Sequence, residues 1–177
     1  MNSKTENRLE NPDTPYIFLD IDGVLATTHQ YRTNRKKWHE TYNCYRFDEK
    51  CVRVFNQITE KVNPVIILSS DWGKQYSLSA MNDIFEWNGV NAIVTDITSD
   101  LWGVKFTSVA QLDDCRADEI LKYVHEHNIE NWVAVDDLDL SPWIDENHFV
   151  RTPRANEGIK QSGVKDKILN NLKSVSK

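Results

Sequence analysis

Apolar residues along this chain fall into two patterns. The first is a set of short unbroken runs, each stopping at polar or acidic residues. Tyr16-Ile17-Phe18-Leu19 runs into Asp20, and Val65-Ile66-Ile67-Leu68, entered from Asn63-Pro64, stops at Ser69-Ser70. Ala92-Ile93-Val94 stops at Thr95-Asp96, Trp132-Val133-Ala134-Val135 stops at Asp136-Asp137, and His148-Phe149-Val150 forms a shorter fifth run. Continuous runs of this length, bounded by turn formers, read as buried strands. The second pattern has helical spacing: Val52, Phe55 and Ile58; Leu78, Met81, Ile84 and Phe85; Ile120, Leu121 and Val124; Ile168 and Leu172. It predicts helices over 47–62, 77–88, 117–128 and 164–175, with Gly89 as a natural stop.

Strands that are apolar on both faces and separated by helices imply a parallel sheet covered on both sides. The expected fold is therefore a three-layer α/β domain over residues 15–177. Residues 1–14 are polar, have their end marked by Pro12 and Pro15, and read as a flexible lead-in.

Composition narrows the picture. The chain has 177 residues, 40% apolar and 27% charged, which suits one soluble globular domain. Its longest aliphatic run is Val65 to Leu68, far short of a membrane span. The first residues lack an apolar leader, and the 3 cysteines follow neither a disulfide nor a zinc spacing. These features lead us to expect a cytoplasmic protein. A net charge of −6 disfavours broad non-specific binding to nucleic acid, though not a local basic patch.

In an open parallel sheet, ligands bind beyond the carboxyl ends of the strands. Here those ends carry Asp20 and Asp22, Ser69 and Ser70, and Asp136 and Asp137. If the first and fourth strands are neighbours, their carboxylates converge. Two unit charges about 4 Å apart repel by roughly 4 kcal/mol at an effective dielectric of 20, so such a cluster requires protons or a cation. Oxygen-only ligands favour Mg2+, which keeps several waters and accepts a phosphate oxygen.

The segment IFLDIDGVL at 17–25 resembles the first motif of the haloacid dehalogenase (HAD) superfamily. IILSS at 66–70 resembles its second, Arg116 in RADEILKYV its third, and WVAVDDLD at 132–139 its fourth. With HFVRTP and EGI between 148 and 159, the chain is most similar to the small HAD domains of RNA-repair systems. The resemblance implies a HAD-like Rossmannoid fold and a Mg2+-dependent phosphatase. In that reading Asp20 is the nucleophile that forms an aspartyl-phosphate, and Asp22 protonates the leaving oxygen and then deprotonates the attacking water. Gly23 allows a sharp turn and close approach of substrate. Ser69 binds a phosphoryl oxygen, with Ser70 as the alternative. Arg116, expected to open its helix where most relatives carry Lys, neutralises charge on the transferred group, with Lys105 as the alternative. Asp20, Asp22, Asp136 and Asp137 supply the metal site, and Trp72 is a candidate lining residue.

Residues 26–46, between the first strand and the first helix, are too few for a full cap domain but enough for a flap or a helical hairpin. They hold Arg32, Arg35, Lys36, Lys37 and Arg46 with His29 and His39, against one acid, Glu40. Tyr31, Trp38, Tyr42 and Tyr45 are interleaved, as expected for stacking on bases. Arg35, Lys36 and Lys37 are the leading substrate-binding candidates. A small basic flap over an open site favours a phosphorylated nucleic-acid end or nucleotide. A phosphotyrosine protein is the alternative substrate, a non-catalytic phosphate-binding module is the alternative of another class, and the motifs do not separate hydrolysis from phosphoryl transfer.

Overall fold

The computed structural model describes residues 11–28, 38–99 and 109–172. Its core is a five-stranded sheet of β1 (Tyr16–Leu19), β4 (Val65–Leu68), β5 (Val94–Ile97), β6 (Trp132–Asp136) and β7 (Phe149–Arg151), in the order β5-β4-β1-β6-β7. Every pairing is parallel. The central strand β1 sets Leu19 opposite Leu68 of β4 and Val135 of β6, so three strands stop at one level. A separate antiparallel pair, β2 (Trp38–His39) and β3 (Cys44–Tyr45), lies in the stretch read as a flap.

Side chains alternate across each strand and divide the apolar residues into two cores. Ile17, Leu19, Ile66, Leu68, Val133 and Val135 belong to one. It is closed by Phe55 and Ile58 of α1 (Glu49–Val62), Ile84 and Phe85 of α3 (Leu78–Asn88), and Ile168 of α5 (Val164–Asn171). Tyr16, Phe18, Val65, Ile67, Trp132 and Ala134 belong to the other, closed by Ala117 and Ile120 of α4 (Val109–Glu126) and by Leu140 and Ile144. The three-layer α/β fold expected from the unbroken runs is the fold observed. A short helix α2 (Trp72–Gln75) follows β4 directly.

Caps explain several boundaries. Asp48 accepts hydrogen bonds from the amides of Lys50 and Cys51, so α1 starts at Glu49 and Phe47 is left to the core. Ser77 caps α3 through the amide of Ala80, and Gly89, at φ 74°, ends it in the left-handed conformation.

Three expectations are corrected. The third strand begins at Val94 and not Ala92, because it lies at the edge of the sheet and pairs only with β4; Ile93 is 70% exposed. The α4 helix begins at Val109, so Arg116 lies inside a helix and not at its start; the apolar spacing marks only the later turns. The last helix ends at Asn171, where Leu172 turns to extended backbone. Of the segment read as a lead-in, residues 11–14 are described: Asn131 donates to the Asp13 carbonyl at 2.8 Å, and Thr14 is buried.

Candidate active site

Strand parity places the charged groups. Asp20 follows Leu19 and so falls on the Phe18 face, and Asp136 falls on the Ala134 face, both towards α4. Arg116 precedes Ala117, the α4 residue packed on that same face, which brings its guanidinium to the strand ends. Its Nη1 donates to Asp136 Oδ2 at 2.8 Å, to Asp20 Oδ1 at 3.2 Å and to the Ser69 carbonyl at 2.7 Å. Nη2 lies 3.8 Å from Asp71 Oδ1 at the mouth of the site. Carboxylate oxygens of Asp20, Asp136 and Asp137 lie within 4.8 Å of one another. The Asp22 carboxylate is not in that group.

One guanidinium among three carboxylates leaves excess negative charge in a buried place. Burial and then Asp136 push the Asp20 carboxyl up to about 8, against the pull of Arg116 and a hydrogen bond with Ser70. Burial also raises Asp136, with Arg116 opposing it. Burial followed by the charges of Asp20 and Asp22 takes Asp137 to about 6. Burial works against the charge on Arg116, but Asp136 and Asp20 outweigh it and keep the guanidinium protonated. A hard divalent cation relieves this surplus, and three carboxylate oxygens with no nitrogen or sulfur donor fit Mg2+.

The other expected residues surround this cluster. Gly23 has φ 71°, and a Cβ there would lie 2.3 Å from Asp137 Oδ2, so both its conformation and its packing demand glycine. Ser69 is 1% exposed and its Oγ has no hydrogen-bond partner among the described residues, an uncommon state for a buried hydroxyl. The Ser70 hydroxyl, in contrast, bonds Asp20 and accepts from the Trp72 amide at 3.4 Å. Trp72 is largely buried, and its indole Nε1 donates to Asp22 Oδ2 at 2.9 Å. Arg35, Lys36, Lys37 and Lys105 lie outside the described residues, as do His29, Tyr31 and Arg32.

Two nearby groups escaped the sequence reading. Asp71 directly follows the two serines, and its place beside a strand end was a signal. Thr152 is fully buried and its hydroxyl donates to the Gly23 carbonyl at 3.0 Å, fixing the turn after β1 from a segment 129 residues away. Nothing in the local pattern announces that contact.

Residues 16–164 match the family model described as the HAD domain in Swiss Army Knife RNA repair proteins, and the chain belongs to that family. No curated protein and no solved structure matches it. Membership supports a phosphatase-type hydrolase function in general terms.

Proposed function

We propose that this HAD domain of the RNA-repair type is a Mg2+-dependent phosphomonoester hydrolase acting through an aspartyl-phosphate on Asp20. Its substrates are phosphorylated nucleic-acid ends or nucleotides. The observation that carries the reading is the strand-end cluster: three carboxylates around the Arg116 guanidinium, beside a buried Ser69 hydroxyl with no partner among the described residues. A phosphoryl group brought in with a divalent cation supplies what the cluster lacks, positive charge for the carboxylates and an acceptor for the hydroxyl.

Asp20, Asp136 and Asp137 would hold Mg2+, which when bound screens the carboxylate nucleophile from the substrate's charge and polarises a phosphoryl oxygen. An Asp20 oxygen attacks phosphorus as the bond to the leaving oxygen breaks, and that oxygen takes a proton from Asp22. Water then attacks the acyl phosphate and gives its proton to Asp22, and the bond from phosphorus to Asp20 breaks, releasing phosphate. Arg116 balances charge on the transferred oxygens, and Ser69 donates to one of them.

The substrate class rests on the family and on the flap. Arg46 stacks 4.6 Å above the Trp87 ring, and Trp38 is 39% exposed with its ring edge-on to Tyr45 at 4.6 Å. Aromatic faces next to cations suit unstacked bases. Arg35, Lys36 and Lys37, in the preceding segment, would add phosphate contacts. The three cysteines are buried free thiols, in keeping with the cytoplasmic setting we assign.

The test is phosphate release with and without Mg2+ from a panel. It holds an aryl phosphate, mononucleotides, 5′- and 3′-phosphorylated oligonucleotides and a phosphotyrosine peptide. Mg2+-dependent release that favours oligonucleotide ends is expected. Preference for the peptide would replace the substrate class, and no release from any member would refute the hydrolase.

A further inference from the structure

Trp72 is 8% exposed and packed edge-on against Phe47 at 5.5 Å, with Tyr76 tilted on it at 5.4 Å. Those contacts alone would make it an ordinary core aromatic. A buried indole must still place its N–H, because an unpartnered donor costs about 1–3 kcal/mol. Here the N–H goes to Asp22 Oδ2 at 2.9 Å, 50 residues back in the chain. The direction of support is therefore one-sided. Trp72 is anchored by the core, while Asp22 is an exposed side chain on the turn that leaves β1.

A general acid works only when its oxygen is within hydrogen-bond reach of the leaving group, about 2.6–3.2 Å. Each bond to a fixed partner narrows the rotamers that an aspartate samples. The indole bond is one such restraint on Asp22. The backbone of Trp72 is fixed as well: its amide donates to Ser70 Oγ at 3.4 Å and its carbonyl accepts from Tyr76 at 2.9 Å. The Tyr76 hydroxyl in turn donates to the Tyr42 carbonyl at 2.7 Å, next to the β2–β3 hairpin, so flap and acid share one anchor.

We propose that Trp72 is the positioning residue for Asp22, holding that carboxyl in the orientation from which it delivers its proton to the leaving oxygen. This rests on the hydrolase reading above. A positioning role predicts dependence on the leaving group. A nitrophenolate departs without help, whereas an alkoxide such as a nucleoside hydroxyl needs its proton during bond breaking.

The test is steady-state kinetics of Trp72→Phe, which keeps the apolar bulk and loses the N–H, with wild type and Asp22→Asn alongside. On alkyl phosphate monoesters, kcat should fall about tenfold, part of the roughly hundredfold or more that general acid catalysis contributes. On p-nitrophenyl phosphate it should fall no more than about twofold, with KM unchanged on both. An equal fall on both substrates, or a rise in KM alone, would overturn the role in favour of simple support or pocket lining. Should the variant not fold, the indole resonance of Trp72 in the wild type decides. It should move upfield in Asp22→Ala, and an unmoved resonance overturns the proposal. Wild type inactive on every monoester would refute the hydrolase itself, whereas an active wild type with a uniform response refutes only the role of Trp72.

Discussion

Two buried ionic clusters sit at the two ends of the turn region that follows β1, and they are built to opposite accounts of charge. At Asp20 three carboxylates share one guanidinium, and burial lifts the acids above their ordinary range. At Asp48 a single carboxylate meets the Lys160 ammonium at 2.6 Å, the Thr27 hydroxyl at 3.1 Å and the amide of Lys50 at 2.9 Å. Burial works to raise Asp48 too, but the hydrogen bond from Lys160 and that of Lys50 hold it below the usual carboxylate range. Matched charge with every lone pair satisfied makes a brace, here joining α1 to the segment before α5. Surplus charge of one sign, with a hydroxyl beside it that has no partner among the described residues, makes a site that awaits something.

The comparison breaks most readily in activity. Asp20→Asn removes the proposed nucleophile and should lower kcat by at least a thousandfold with folding intact. Phosphate release under saturating Mg2+ checks it, and comparable activity would remove Asp20 from the mechanism. Asp48→Ala should do the reverse. It deletes a helix cap and leaves Lys160 without its counter-charge, for a loss of roughly 2–3 kcal/mol. Urea unfolding should show a lower midpoint at unchanged slope, with kcat of the folded fraction within about twofold.

Proton linkage sharpens the contrast. Asp20 is raised in the folded chain to about 8, so the folded state keeps a proton that the unfolded state gives up near 3.8. Its favourable contribution is complete below the unfolded value and is lost as pH rises from about 4 through about 8. Asp48 is lowered, so its contribution is present above 3.8 and is lost as pH falls through its depressed value. Metal-free Asp20→Asn should thus be more stable than wild type at pH 8, on the order of 1–3 kcal/mol, and the margin should shrink at pH 5. Thermal unfolding in EDTA checks the sign. Adding Mg2+ should stabilise wild type more than the variant, since only wild type retains all three carboxylates. Destabilisation of the variant at pH 8 would mean that Arg116 already balances the cluster.

The candidate site was legible in the sequence because its parts sit where patterns change. Each apolar run stops at the residue that carries chemistry, and the parity of a strand then assigns that residue to a face. Asp20, Ser69 and Asp136 needed no more than this. Arg116 was found by resemblance, and its helix was misjudged because the turns before it lack apolar spacing. The Asp48–Lys160 brace was not legible, nor were the bonds from Thr152 to Gly23 and from Trp72 to Asp22. Each joins residues between 50 and 129 positions apart, and what joins them is the topology of the sheet. The β2–β3 hairpin was hidden for another reason: two-residue strands are too short to show alternation.

The smallest effect tests where the functional cluster stops. Arg151 lies opposite Asp136 in the sheet and is the nearest basic neighbour on β7, so proximity alone would enrol it in the site. Its bonds go elsewhere. Nη1 reaches Asp139 Oδ2 at 2.7 Å and Nε donates to the Asp137 carbonyl at 3.1 Å. Both charged side chains of that pair are about 40% exposed, at 41% and 43%. Exposed pairs of this kind contribute about 0–1 kcal/mol, because water competes for each partner. Arg151→Gln should therefore change stability by less than about 0.5 kcal/mol and leave kcat within about twofold. A tenfold loss of kcat would show that the peptide after Asp136 must be held from β7 for the carboxylates to converge. The functional cluster would then extend across the sheet to Asp139, and burial would no longer mark its edge.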